Sequence, residues 1–152
     1  MRHRQLIALL ALVGFGIALY LWLYKMGYIG RLQCGTGSCE YVQTSPYGVL
    51  LGVPVAFFGV LGYALILAVA LTGLQPAFVH RRWPTRVVAV LAAGGWLFTL
   101  YLTYVELFVL HAVCRWCMTS AVVMTLITLI AVPAALRKEQ GALSSHSPRT
   151  DP

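Results

Sequence analysis

Four apolar runs constrain this chain more than anything else in it: Leu6 to Tyr24, Val53 to Leu74, Val87 to Leu110 and Met118 to Leu136. Each is long enough to cross a hydrocarbon core, which takes roughly 20 apolar residues as a helix. Together they use up most of the 152 residues, leaving little for a soluble domain. The composition agrees: 60% of residues are hydrophobic and only 10% charged, against about a quarter charged in an ordinary soluble domain. The expected fold class is an all-α membrane protein, a four-transmembrane-helix bundle over residues 1–137, with a loop at 25–52 and a disordered polar tail at 138–152.

The basic start Met1-Arg2-His3-Arg4 looks like that of a secretory signal. The apolar run behind it, however, exceeds the roughly 7 to 15 residues of a signal core, and no small-x-small site follows. Tyr20, Trp22 and Tyr24 read as an interfacial aromatic belt, so the run is expected to be the first spanning helix. A net charge of +7 raises the question of nucleic acid. The basic residues fall at the ends of spans rather than in one patch, which argues for topology and against a nucleic-acid surface. Arg2 and Arg4, then Arg81, Arg82 and Arg86, then Arg137, Lys138 and Arg149 mark three segments as cytoplasmic by the positive-inside rule. Both termini are then expected in the cytoplasm, with the loop 25–52 and the turn around His111 to Arg115 on the outer face.

All four cysteines lie in those two outer segments. Disulfides form and persist on that side of a cytoplasmic membrane. Cys114-Arg115-Trp116-Cys117 is a C-x-x-C where the chain enters the last span. In a first helical turn, residues three apart share a face, so the two thiols can bridge. The unpaired N–H groups and positive dipole end of a helix N-terminus favour thiolates there. Cys117 should sit about 4.5 Å deeper than Cys114 at 1.5 Å of rise per residue; Cys114 is expected to face water and other thiols, Cys117 the membrane. Cys34-Gly35-Thr36-Gly37-Ser38-Cys39 is the second pair, and its two glycines make a pliant loop. Stapling disulfides or a four-cysteine metal site are the bland readings of such pairs; a relay by thiol–disulfide exchange is the reactive one. The expectation is the relay, with no metal.

Other residues carry weaker signals. Glu106 is the one acidic residue inside a span, which points either to a proton-transfer role at a functional site or to snorkelling toward headgroups. His111, three residues before Cys114, could stabilise a thiolate or deliver a proton. Phe57 and Phe58 could wall a flat ring, or face lipid. Gly59, Gly62 and the pair Gly94-Gly95 suit close helix approach.

The order of these features resembles the vitamin K epoxide reductase family, including its bacterial members that support disulfide formation. The most telling stretches are CGTGSCEYVQTSPYGVLLGVPVAFFGVLGY (34–63) and YLTYVELFVLHAVCRWCMTS (101–120). The resemblance implies a membrane thiol:quinone oxidoreductase. Cys34 would face an outer thiol partner, Cys39 would exchange with Cys114, and Cys117 would pass electrons to a quinone of menaquinone, ubiquinone or vitamin K type. Ser45 falls where the family often keeps serine, and Glu40 to Leu51 corresponds to a short amphipathic helix capping the quinone pocket. The candidate quinone contacts are therefore Cys117, Ser45, Val55, Phe57, Phe58 and His111. Ala121 stands where the vertebrate enzyme has tyrosine, and Val55 where a polar residue is expected. Many bacterial members carry a fused thioredoxin-like domain after the last helix; here only a polar tail follows, so a separate thioredoxin-like or DsbA-like protein is the expected partner. Reduction of vitamin K epoxide by the same cysteines is the alternative activity. The other quinone-linked disulfide-generating family places its C-x-x-C in the first outer loop, the reverse of the order here.

Overall fold

The computed structural model describes residues 2–35, 38–78 and 80–144, with side chains described as far as 137. Four of its helices are long and apolar enough to span a membrane. Helix α1 is Arg2–Lys25; a short helix α2, Cys39–Thr44, follows the cysteine loop, and a 3-10 turn Pro46–Gly48 leads into a two-residue hairpin, β1 Val49–Leu50 against β2 Val53–Pro54. Then come α3 Val55–Thr72, α4 Trp83–Tyr104 with a π-helical extension Val105–Val109, and α5 Arg115–Ser144.

Helix α1 packs on α3 and α5, and α4 on α5 and α3, so the helices run α1-α3-α4-α5 around the bundle. Apolar burial gives no drive between helices in lipid, so close packing of small residues has to supply it. Ala11, Ala92 and Ala131 are fully buried, as are Ile66 and Ile127, while Leu9, Leu61, Leu97 and Leu129 are exposed toward the lipid. At Gly14 the Tyr63 ring lies where a Cβ would stand, and a Cβ on Gly59 would come within 3.2 Å of Ala18. These glycines let α1 and α3 approach.

Three boundaries differ from the sequence reading. The expected capping helix over Glu40 to Leu51 stops at Thr44, because Pro46 excludes helical backbone at Ser45, which is extended at φ −64°, ψ 158°. Helix α4 starts four residues before Val87, with Pro84 accommodated in its first turn, where no N–H is required. The tail expected to be disordered from residue 138 begins as helix: α5 continues to Ser144, since Ala134 to Gln140 is a run of strong helix formers that carries the helix past Gly141. Residues 145–152 lie outside the described residues.

Candidate active site

The C-x-x-C is built on the start of α5. The Cys114 carbonyl accepts the N–H of Met118 at 2.9 Å, the first bond of the helix, and its Sγ accepts the N–H of Cys117 at 3.3 Å. Cys114 is thus the N-cap, with sulfur in the place a serine or aspartate oxygen usually takes. The two Sγ atoms stand 2.6 Å apart, with the Cys117 thiol donating to Cys114. That hydrogen bond is the main reason the Cys114 thiol is pulled below its ordinary value; burial works against it, and the Cys117 N–H assists. The thiolate is favoured at Cys114 rather than at Cys117.

Cys114 does not face water as the helical rise suggested: it is fully buried. The reason is the loop above it. Ser38 N–H donates to the Val113 carbonyl at 3.1 Å, the Trp116 indole N–H donates to the Gln33 carbonyl at 3.0 Å, and Tyr20 packs on Trp116 with ring centroids 5.2 Å apart. This strap carries Cys34 and Cys39, which are joined as a disulfide. Cys34, Cys39 and Cys114 share one buried cluster, with Cys117 at its edge. Two dithiol pairs therefore lie in one packed layer, the first bridged and the second free.

Cys117 is half-buried and looks the other way, into a largely apolar cavity between the helices. The cavity holds about 760 Å³ of space free of protein atoms, part of it open to the surroundings. Phe58, Phe98 and Met124 line it with Val55 and Cys117. Ser45 lines an adjoining cavity that shares Gln43, Val55, Glu106 and Cys117. Its hydroxyl is turned to the Val42 carbonyl at 2.7 Å. Hydroxyls of Thr99, Thr103 and Tyr63 also reach the main cavity. Tyr63 Oη donates to the Ser120 carbonyl at 2.9 Å and lies 3.0 Å from its hydroxyl.

Two expected quinone contacts are elsewhere. Phe57, one helical step from Phe58, faces outward against Trp22 at 5.6 Å, because consecutive helical residues point about 100° apart. His111 is exposed in a left-handed turn at φ 47° and lines neither cavity. The turn that closes α4 directs the chain back under the strap and leaves this side chain outside.

Two residues outside the expected contact set are central. Gln43 is buried, and its side-chain N–H donates to Cys117 Sγ at 3.5 Å. Its carbonyl is held by Lys25 Nζ at 2.7 Å. The signal was present in α2: Cys39, Val42 and Gln43, spaced i, i+3, i+4, form one buried face. Glu106 is also buried, and its Oε1 accepts the Cys114 N–H at 3.1 Å. Here α4 widens into a π turn, with Leu110 N–H reaching back five residues to Val105 at 2.9 Å and Ala112 N–H reaching the Glu106 carbonyl at 3.1 Å. Such turns gather at functional sites.

The carboxylate of Glu106 and the two sulfurs lie within 4.8 Å of one another, a donor set worth testing as a metal site. Two thiolates on one tetrahedral zinc, each about 2.3 Å from it, stand roughly 3.8 Å apart. The 2.6 Å between these sulfurs suits a closing dithiol better than a metal clamp. The cavity, by contrast, fits a flat apolar ring with one or two polar oxygens. Residues 5–132 match the Vitamin K epoxide reductase family.

Proposed function

Since this chain belongs to the Vitamin K epoxide reductase family and so to a family of membrane oxidoreductases, we propose that it is a thiol:quinone oxidoreductase supporting disulfide bond formation. The observation that carries the reading is the two-sided C-x-x-C: Cys114 buried against the Cys34–Cys39 strap, Cys117 opening onto the apolar cavity. A thiol partner of the thioredoxin-like or DsbA-like kind reduces the Cys34–Cys39 disulfide. Freed Cys39 then meets Cys114 in the same packed layer, and the electron pair moves to Cys114/Cys117 by exchange. A bound quinone of menaquinone, ubiquinone or vitamin K type supplies the two-electron, two-proton sink.

The chain's own residues do the rest. Phe58, Phe98 and Val55 hold a ring and keep water out; Gln43 fixes the Cys117 sulfur; the N-cap position keeps Cys114 ready as thiolate. The cysteine end of the bundle faces out, with the termini in the cytoplasm. What supports this is the charge asymmetry of the connecting segments and the oxidising compartment that a disulfide-forming enzyme requires.

The experiment is a relay trap in the full chain. With Cys34→Ala and Cys117→Ala combined, Cys39 and Cys114 are each left without their usual partner and should form a disulfide, detected as a single cross-linked peptide pair. Reduced wild-type protein should also turn over a short-chain ubiquinone. A chain that forms no such cross-link, binds zinc on elemental analysis and keeps its disulfides inert toward quinone would contradict the proposal.

A further inference from the structure

Closing a dithiol onto an acceptor is a proton problem as well as an electron problem. With Cys114 as the thiolate and Cys117 as the thiol, forming their S–S bond releases two electrons and the one Cys117 proton, and a quinone becomes the hydroquinone by taking the electron pair, that proton and a second proton from water. The cavity beside Cys117 is walled mostly by apolar side chains, and its titratable lining residues are Cys117, Tyr63 and Glu106. Tyr63 is engaged with Ser120. Glu106 lines both adjoining cavities, is 4% exposed, accepts the Cys114 N–H and has its carboxylate within 4.8 Å of both sulfurs.

We propose that Glu106 is the proton acceptor of the C-x-x-C: its carboxylate takes the thiol proton as the Cys114–Cys117 disulfide closes and returns it toward the oxygen of the acceptor in the cavity. The geometry separates this from a packing role. A buried carboxyl costs several kcal/mol unless it is well hydrogen-bonded, and if its task were only to hold the Cys114 N–H, a neutral amide would do that without the cost. The carboxylate lies within 4.8 Å of both sulfurs and lines the same cavity as Cys117, so it can take a proton from the dithiol and present it to an acceptor there. General acid–base assistance of this kind is worth about 10² to 10⁴ in rate. The groups facing Glu106 are Cys114 and Cys117 from α5, Gln43 from α2 with Lys25 behind it, and Tyr63 across the cavity on α3.

The inference rests on the thiol:quinone reading, so the test has an arm that is free of quinone. Full-length protein stripped of quinone is cycled between dithiol and disulfide with dithiothreitol and diamide, and the infrared difference spectrum is recorded. A carboxyl band should change with the redox state and vanish in Glu106→Gln; with only four Asp and Glu in the chain the assignment is unambiguous. In single turnover with a short-chain ubiquinone, Glu106→Gln should be slowed by about 10²-fold or more, its rate rising in proportion to hydroxide as direct thiol ionisation takes over. Glu106→Asp should recover part of the rate and retain the carboxyl band, which settles the matter if the glutamine variant fails to fold. A Glu106→Gln enzyme with the wild-type rate and pH profile, or a wild-type spectrum with no redox-linked carboxyl change, would overturn the assignment. Wild-type protein that shows the band but reduces no quinone would leave Glu106 as the dithiol's proton acceptor and defeat the quinone reading instead.

Discussion

The two ends of the helical bundle bury polar side chains in opposite ways. At the end away from the cysteines, Arg4 is buried beside a small apolar cavity and is tied to the backbone and side chain of its neighbours: it donates to the Gly73 carbonyl at the end of α3, to Thr85 Oγ1 at 3.1 Å and to the Arg81 carbonyl at 3.4 Å. At the cysteine end, Glu106, Gln43 and Cys117 are held just as closely to one another but keep one side on open space. The first arrangement ties α1 to the α3–α4 connection. The second sets a thiol, a carboxyl and an amide side by side. In both, a buried polar group is offset by hydrogen bonds; what differs is the space beside it, about 290 Å³ at Arg4 against about 760 Å³ at the cysteine end, where Cys117 and Glu106 line the cavity.

The sharpest way to break the comparison is at Cys117. Cys117→Ala should lower single-turnover quinone reduction by at least about 10³-fold, the scale expected when the reacting group itself is removed, while leaving the thermal transition of the protein near its wild-type value. Retained turnover would mean the cavity is not where the chemistry ends.

Arg4→Met should do the reverse. It strands the Gly73 carbonyl and the Thr85 hydroxyl, at a cost of about 2–4 kcal/mol in stability, read as a lower melting temperature in detergent, with turnover per folded molecule within about twofold of wild type.

The thiol of Cys114 offers a pH test. It is pulled below the ordinary cysteine value chiefly by the hydrogen bond from the Cys117 thiol. In the reduced protein the thiolate is therefore populated at lower pH than in the unfolded chain, and the stability it contributes is lost as pH falls through its folded pKa. Cys117→Ala removes that donor, the largest of the lowering contacts, and leaves mainly the backbone N–H at position 117 to oppose burial, so the ultraviolet thiolate signal should titrate at higher pH. A titration that stays put would remove the Cys117 thiol as the cause.

Gln43→Leu deletes one sulfur hydrogen bond worth about 1 kcal/mol, or roughly fivefold, and should slow the Cys117 step by that factor without loosening the fold. Smallest of all, His111→Asn keeps a residue type that tolerates the left-handed turn and should change quinone turnover less than about twofold, because His111 lies outside both cavities.

The four spans and the two cysteine pairs are legible in the sequence because lipid imposes one simple rule, a long apolar helix per crossing, and because thiols carry their chemistry in their identity. Phe58 and Val55 line the cavity, whereas Phe57, beside them in sequence, turns outward onto Trp22; helix phase relative to neighbours is set by packing and is invisible in a run apolar all round. The burial of Cys114 depends on the strap folding down through Ser38 and Trp116, long-range contacts with no local signature. Glu106 is visible as an acid inside a span, yet its reach to the C-x-x-C comes from the π turn, which the residues Val105–Val109 do not announce. Gln43 is hidden for a plainer reason: a glutamine on a short amphipathic helix reads as solvent-facing until its partner sulfur is found 74 positions away.

The central claim is that Cys117, and not Cys114, is the cysteine that meets the quinone. The direct measurement is the visible absorption spectrum of quinone-loaded Cys114→Ala and Cys117→Ala proteins, purified under identical conditions with bound quinone confirmed by extraction. Cys114→Ala should show a new long-wavelength band from contact between the remaining thiolate and the quinone ring, and Cys117→Ala none. A band in Cys117→Ala alone, or in neither protein with quinone present, would contradict the account.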